Sequence, residues 1–179
     1  MRVGSRIPNL LQAQFKRARW IRLAQTMLKG FISYAHADSD LCEMFVKQVN
    51  MLRHSRIAAF WADHGIEPGD PWEDVIMSQL KQADICLFLI SPDMFWSDFI
   101  RKKEWPLARR RMNAGNLLVI PVILRDTALW ERAFNGELGR RQAVPRGARP
   151  IAESPSRDAA SAEAVRMIAD RIKKDRHRG

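Results

Sequence analysis

The sequence predicts a single α/β domain built on a parallel β-sheet of about five strands. Short apolar runs alternate along the chain with segments whose apolar residues have helical spacing. Residues 85–90 and 117–124 are apolar almost throughout, which is typical of strands buried on both faces. The 179 residues, 46% of them hydrophobic, suffice for one core but not for two comfortable domains.

The first half of the chain contains two predicted strands and two predicted helices. Either Asp38 or Ser39 is a suitable N-cap for the first helix. A loop with glycine and proline precedes the second helix, whose apolar residues form one stripe. The predicted strands are 28–35 and 57–61, the helices are 38–52 and 72–82, and the loop is 63–71.

The second half of the chain contains three predicted strands and two predicted helices, and its prolines restrict where a helix can begin and where a strand can lie in the sheet. We expect a helix to begin near Lys103 to Trp105, because Pro106 suits a first helical turn. Pro121 indicates that its strand lies near an edge of the sheet or that the hydrogen-bond ladder is interrupted at this residue. The predicted strands are 85–90, 117–124 and a brief fifth at 150–153. The helix that begins near residues 103–105 ends at about residue 113, and a last helix covers residues 161–173. The stretch 126–147 is predicted to be irregular.

This alternation predicts a flavodoxin-like, three-layer arrangement, with right-handed crossovers that cover both faces of the sheet. In such sheets, ligands bind outside the carboxyl ends of the strands. Three loops lie there: residues 34–38, 61–72 and 91–104. We therefore expect any chemistry to occur on these loops.

Most of the formal net charge of +10 lies on the two ends of the chain. Residues 1–26 carry six basic side chains and no acid, and residues 173–179 carry four basic side chains and one acid. Without these two ends, 20 basic and 19 acidic residues remain. The folded body is nearly neutral, which argues against nucleic acid as a partner. We divide the chain into a basic extension (1–26), a domain (27–173) and a basic tail (174–179).

The N-terminal extension has three interpretations, of which a targeting peptide is the least favoured, because the segment has no sustained apolar region and no small-residue cleavage site of secretory type. Its apolar and basic residues could form an amphipathic helix that contacts a membrane or a partner. The simpler interpretation is an unstructured or untranslated extension, since Met27 stands just before the first strand and could be a start codon. The apolar runs are too short for a transmembrane helix. With Cys42 and Cys86 expected to be reduced and buried, we expect a cytoplasmic protein.

Several common site motifs are absent. The sequence has no G-x-G-x-x-G, no G-x-x-x-x-G-K-[ST] and no H-E-x-x-H. The four histidines show no metal-ligand spacing, and neither cysteine has a CxxC partner. We therefore predict neither a metal site nor a bound cofactor.

Three segments at the predicted strand ends, in this order, are similar to the bacterial branch of the TIR (Toll/interleukin-1 receptor) domain family. FISY at 31–34 resembles the signature of the first strand, and IEPGDPW at 66–72 resembles the mobile BB loop. Ser91-Pro92, with Ser97 followed seven residues later by Glu104, resembles the segment that carries the catalytic glutamate. The resemblance covers about residues 29 to 172. The sequence departs from the family pattern near residues 151–154, where an expected tryptophan is absent. The sequence therefore does not predict how the last helix packs.

The resemblance implies three alternative hypotheses for the function. Many TIR domains, especially prokaryotic ones, cleave the nicotinamide–ribose bond of NAD⁺ as glycohydrolases or cyclases, with NAD⁺ as substrate. That activity would suit antiphage signalling or NAD⁺ depletion, with a separate sensor protein as a further partner. Other TIR domains are non-catalytic interaction modules, and an effector that acts on other TIR domains is a third hypothesis.

Glu104 is the predicted catalytic residue. Loss of neutral nicotinamide leaves an oxocarbenium-like ribose, which a nearby carboxylate can stabilise, and the carboxylate can also accept hydrogen bonds from ribose hydroxyls. Two simpler roles also fit a glutamate at this position. It could be favoured there by a helix N-terminus, or it could be a solvated charge beside three cations.

Substrate-binding candidates surround Glu104 in the predicted loops. Trp61 matches the aromatic position of the family and could stack on cationic nicotinamide, for about 1 kcal/mol, or it could face the core. Ser33 and His36 could contact ribose or phosphate, or cap the next helix. Ser97 and Phe99 complete the set, although packing beneath their loop is the simpler role for Phe99 and for Trp96.

The resemblance implies that the BB loop, here residues 63–72, mediates contacts between TIR domains. Head-to-tail contacts of this kind are heterologous and can grow into filaments. The alternative is an ordinary flexible surface loop, since glycine and proline favour turns. The predicted interaction residues are Asp63, Ile66, Pro68, Gly69, Asp70 and Trp72.

Overall fold

The computed structural model describes residues 27–63, 69 and 71–177. Its four strands form one sheet in which every pair is parallel, in the order β2-β1-β3-β4. The strands are β1 (Leu28–Ser33), β2 (Ala58–Trp61), β3 (Ile85–Ile90) and β4 (Leu118–Ile123). The α-helices are α1 (Ser39–His54), α2 (Trp72–Gln82), α3 (Pro92–Trp96), α4 (Trp105–Asn113) and α5 (Arg157–His177).

Two apolar cores cover the two faces of the sheet, which confirms the predicted α/β fold. One core joins the sheet to α1 and α5 through residues such as Phe45 and Ile168. The other joins it to α2 and α4 through residues such as Leu80 and Leu107. All six residues of β3 are buried, as expected for a central strand with helices on both faces. Cys42 and Cys86 are free and buried, as predicted.

The predicted fifth strand is replaced by two short contacts along the outer edge of β4. Val144 forms an isolated parallel bridge to Val122. Farther on, Ile151 and Ala152 donate backbone hydrogen bonds to Ile123 and Leu124. The chain then turns, because the N–H of Ser154 bonds back to the carbonyl of Ile151. Residues 150–153 therefore make two sheet-like hydrogen bonds without forming a strand.

Pro121 lies on the edge strand, as its missing N–H predicts. Its carbonyl accepts a hydrogen bond from the N–H of Val144, on the side away from β3. In an extended strand the N–H and C=O of one residue point to the same side, so the absent N–H also belongs to this outer side. The ladder between β3 and β4 loses no hydrogen bond.

The helix around Glu104 begins earlier than predicted. Helical backbone starts at Asp98 and passes through a π-helical turn, Ile100–Glu104, before α4. Pro106 cannot bond to the carbonyl four residues before it and crowds that carbonyl, and a wider turn relieves both problems. Glu104 consequently lies within a helical segment and not at its first turn.

Three further predictions concern the ends of the chain and of α1. Asp38 occupies the N-cap position of α1, as predicted, but its side chain makes no capping hydrogen bond there. The last helix continues to His177, past its predicted end at 173. The basic extension, residues 1–26, lies outside the described residues. No helix in the described part of the chain is long and apolar enough to cross a membrane.

Candidate active site

Glu104 lies beside the carboxyl end of β1, held by a hydrogen bond from Ser33. The π-helical turn directs its carboxylate inward, so that Glu104 is only 4% exposed. The hydroxyl of Ser33, itself buried, donates to Oε2 of Glu104. The interpretation of Glu104 as a solvated surface charge is therefore wrong, and Ser33 makes this contact instead of capping a helix.

Burial makes Glu104 unusually weak as an acid. Removal from water disfavours the carboxylate and raises its pKa from 4.5 to about 7. The hydrogen bond from Ser33 acts in the opposite direction, because it stabilises the charged form, whereas the negative charge of Asp63 raises the pKa further. Near neutral pH, Glu104 exists in both protonation states. A perturbed carboxyl group of this kind is typical of functional sites.

A second carboxylate, Asp63, lies at the rim of the same region. It accepts a hydrogen bond from the hydroxyl of Tyr34, and Nε2 of His36 lies 3.5 Å from its Oδ2. Burial and this hydrogen bond raise the pKa of Tyr34 well above its usual value, so Tyr34 stays a neutral donor. The imidazole of His36 is largely exposed and contacts Asp63, not Glu104. Tyr34 escaped the sequence prediction, although it directly follows Ser33 in the FISY segment.

Trp61 packs at the end of β2 against the ring of Phe31. The two rings stack with centroids 5.7 Å apart and planes inclined by 19°. Trp61, Asp63 and Glu104 all line one cavity of about 10 Å³, which is close to the room that a single water needs. The half-buried Trp61 therefore serves the core and borders the carboxylate at the same time.

Other predicted residues make contacts of their own along the loop and helix before Glu104. Phe99 pairs with Trp72, with ring centroids 4.8 Å apart, which ties the loop after α3 to the start of α2. The hydroxyl of Ser97 accepts a hydrogen bond from the N–H of Ile100 and so caps the helical segment. Trp96 is 80% exposed, so the expectation that it packs beneath its loop is wrong.

A partly buried polar network lies at the carboxyl ends of neighbouring strands and was not predicted. The carboxylate of Asp38 accepts hydrogen bonds from Ser91 and from Arg125, the latter at 2.8 Å. Arg125 also pairs with Asp93, at the start of α3. The network joins the residues that follow β1, β3 and β4. Nothing in the local sequence around Arg125 links it to Asp38, 87 residues earlier.

Comparison with known proteins identifies the family of this domain. A family model described as "TIR domain" matches residues 31–147, well over half of the chain. This chain belongs to the TIR domain family. The match includes Ser33, Trp61 and Glu104.

A related protein occurs in Sinorhizobium fredii (strain NBRC 101917 / NGR234). The chain is 37% identical over 145 residues to its "Uncharacterized protein y4lF". That alignment covers 79% of this chain and 44% of the relative. The chain thus spans less than half the length of the curated relative that it matches.

The BB loop of this TIR domain is only partly described. Ile66, Pro68 and Asp70 lie outside the described residues. Gly69 is exposed with φ of +97°, a backbone conformation that favours glycine. Trp72, at the start of α2, is 45% exposed although it is large and apolar. Within the described ranges, no cluster of three or more His, Cys, Asp or Glu side chains could hold a metal ion.

Proposed function

We propose that this TIR domain cleaves the nicotinamide–ribose bond of NAD⁺, with Glu104 as its catalytic residue. The observation that supports this proposal best is the buried Glu104 carboxylate held by Ser33 beside Trp61. A glutamate seldom occupies so buried a position without an ion partner. A site that stabilises a developing cation would account for its retention.

The reaction requires negative charge next to the ribose. As the bond from C1′ to nicotinamide breaks, its electron pair leaves with nicotinamide and positive charge develops on the ribose. The ionised form of Glu104 would stabilise that charge, more strongly in a buried site than in water. Water then adds to C1′ and loses a proton, which gives ADP-ribose, whereas attack by a nitrogen of the adenine would give a cyclic product.

Substrate contact would require movement of the side chains around Glu104. The carboxylate is almost fully covered, and a ribose is far larger than the neighbouring cavity. Trp61 borders that cavity and offers an aromatic surface for the nicotinamide ring. Asp63 and His36 lie at the rim, where they could contact ribose hydroxyls or phosphate.

Nicotinamide release from NAD⁺ tests the proposal directly. The full chain should release nicotinamide, measured by chromatography at high protein concentration, and Glu104→Gln should lower the rate by at least about a hundredfold. Glu131→Gln, which changes an exposed glutamate, is the matched control and should retain the rate. Equal turnover by the wild type and Glu104→Gln would refute the assigned role.

A second candidate function is a TIR interaction module. The exposed Trp72 next to the BB loop supports it, because a large apolar side chain in water is a common feature of binding surfaces. Under this proposal the chain would associate with another copy or with a separate sensor or effector. A wild type that self-associates in sedimentation, loses this with Trp72→Ser and never releases nicotinamide would favour the module. Antiphage signalling and NAD⁺ depletion remain proposals for the catalytic alternative.

A further inference from the structure

A second recess lies at the start of β4, away from the carboxyl ends of the strands. It has a volume of about 460 Å³, within the range of ordinary small-molecule sites. We call it the β4 groove. Its apolar lining includes Leu118, Val119, Ile120, Val144, Met167 and Ile168.

One residue of β4 presents unpaired backbone groups to this groove. Leu118 and Leu124 donate their backbone N–H groups toward the β3 side, whereas Ile123 donates to Val144 on the outer side. Backbone direction alternates along a strand, so Val119 shares the outer direction of Ile123. Among the described residues, no backbone partner bonds to Val119 on that side.

These groups of Val119 are an unusual feature, because the residue is only 4% exposed. Buried N–H and C=O groups are almost always paired, and an unpaired one costs free energy comparable to a lost hydrogen bond. The outer edge of β4 thus offers a donor and an acceptor to whatever occupies the groove.

Positive charge surrounds the apolar lining. The basic residues are Arg140, Arg141, Arg146, Arg171 and Lys174, against a single acid, Asp170. Arg171 pairs with Asp175, but the other four cations have no carboxylate within ion-pair distance in the described part of the chain. The groove therefore combines an apolar wall with unneutralised positive charge, which favours an anionic ligand.

The short open edge of β4 favours a compact ligand over an extended peptide. Farther along the outer edge, Val144 already bonds to Pro121 and Ile123. Only the first part of β4 is open, which is too short an edge for an added strand. A flat ring with its own donor and acceptor fits such an edge better, and phosphates suit the neighbouring arginines.

We infer that the β4 groove binds a purine nucleotide. The base would pair with the backbone of Val119 and pack against Met167, and the phosphates would face Arg140 and Arg146. These residues lie apart from Ser33 and Glu104, so the inference holds whether or not the chain cleaves NAD⁺. The site would give the domain a nucleotide-dependent control separate from its candidate active site.

Calorimetric titration of the full chain with ATP tests this inference. ATP should bind at physiological salt, and both adenosine and tripolyphosphate should bind at least about tenfold more weakly, because each lacks one half of the ligand. The double variant Arg140→Ala/Arg146→Ala should weaken ATP binding by at least about tenfold. The matched control is Arg53→Ala/Arg166→Ala, which removes two exposed arginines outside the groove.

Three results would overturn the inference. The first is no ATP binding at about 1 mM, which is a weak-binding limit. The others are equal affinities for ATP and tripolyphosphate, or the same ATP affinity in both double variants. Val119→Pro tests the base contact, since it removes the N–H on the outer side and leaves the ladder to β3 intact, as Pro121 already does two residues later. It should weaken ATP binding and leave tripolyphosphate binding unchanged. If Val119→Pro does not fold by circular dichroism, Met167→Glu places a negative charge in the groove and should weaken ATP binding by at least about tenfold; unchanged affinity in that variant would also refute the inference.

Discussion

The hydroxyl of Ser33 donates a hydrogen bond to Oε2 of Glu104, 71 residues later in the chain. This contact joins the end of β1 to the π-helical turn. It also opposes the effect of burial, since a donor to a carboxylate stabilises the ionised form. The charge on Glu104 near neutral pH therefore depends on a balance in which burial and the charge of Asp63 raise its pKa and this hydrogen bond lowers it.

Ser33→Ala should lower activity by shifting the protonation of Glu104. Without its donor, the Glu104 carboxyl group has a pKa above about 7, so less of the ionised form exists at pH 7. A charged hydrogen bond is worth about 1.5–3 kcal/mol, so nicotinamide release at pH 7 should fall about tenfold or more. Pairs of rate measurements at pH 7 and 8.5 check this, and the variant should recover part of its rate at the higher pH. Ser33→Thr keeps the hydroxyl and is the control; a pH profile of Ser33→Ala identical to that of the wild type would contradict this role of Ser33.

Glu104 should also make folding stability depend on pH. Its pKa is about 7 in the folded chain against 4.5 ordinarily, so between these pH values the unfolded chain releases a proton that the folded chain keeps. The free energy of unfolding should consequently fall as the pH rises from 4.5 to about 7, by on the order of 3 kcal/mol.

Urea unfolding at pH 5 and pH 8 measures this effect. Glu104→Gln cannot ionise, so its loss of stability between the two pH values should be smaller than that of the wild type by a similar amount. Glu131→Gln, in an exposed position, should behave as the wild type does. If both variants lose as much stability as the wild type, Glu104 does not hold its proton in the folded chain.

Replacement of Trp61 should weaken the binding of NAD⁺, which a purely structural role of Trp61 would not predict. Trp61→Ala removes both the ring stacked on Phe31 and the aromatic wall beside Glu104, whereas Trp61→Phe keeps an aromatic face. We expect Trp61→Ala to raise KM for NAD⁺ by about fivefold or more, since aromatic and cation–π contacts contribute about 1 kcal/mol or more. Steady-state kinetics on both variants tests this. A KM unchanged in Trp61→Ala would remove Trp61 from the substrate site.

Arg125→Ala should destabilise the domain by leaving Asp38 with Ser91 as its remaining side-chain partner. The carboxylate of Asp38 is 1% exposed, and loss of its charged donor leaves it poorly compensated. Because the Arg125 side chain is 35% exposed, water screens the pair, so we expect about 1–3 kcal/mol. Chemical denaturation provides the measurement, with Arg132→Ala as an exposed control. Equal stability of the two variants would show that the network has no stabilising role.

Gly30 should tolerate no larger side chain while Phe60 is present. A Cβ at Gly30 would stand 2.1 Å from the Phe60 ring, which packs across the β1–β2 pair. Gly30→Ala should therefore cost about 1–3 kcal/mol, the usual cost of overpacking. Adding Phe60→Leu should recover part of that loss, and a double-mutant cycle by thermal unfolding measures the coupling. Additive effects of the two changes would exclude the proposed clash.

The fold class, the main strands and helices, and the family resemblance all followed from the amino-acid sequence alone. Continuous apolar runs such as β3 can be satisfied only by burial on both faces, and helical spacing of apolar residues is a local property. The edge position of Pro121 was likewise predictable, because a missing N–H restricts the neighbours that a residue can have. The FISY segment and the Ser97–Glu104 spacing were enough to select Ser33 and Glu104 as candidates.

The way in which those candidates interact depends on the tertiary structure. Whether Glu104 is solvated or buried depends on the π-helical turn and on β1, which no residue near Glu104 in the sequence reveals. Asp38 and Arg125 meet across 87 residues, and the unpaired edge at Val119 exists because Val144 covers only the later part of β4. The local sequence pattern predicts the secondary structure of each segment. The protonation, burial and hydrogen-bond partners of a residue depend on contacts between segments that are distant in the sequence.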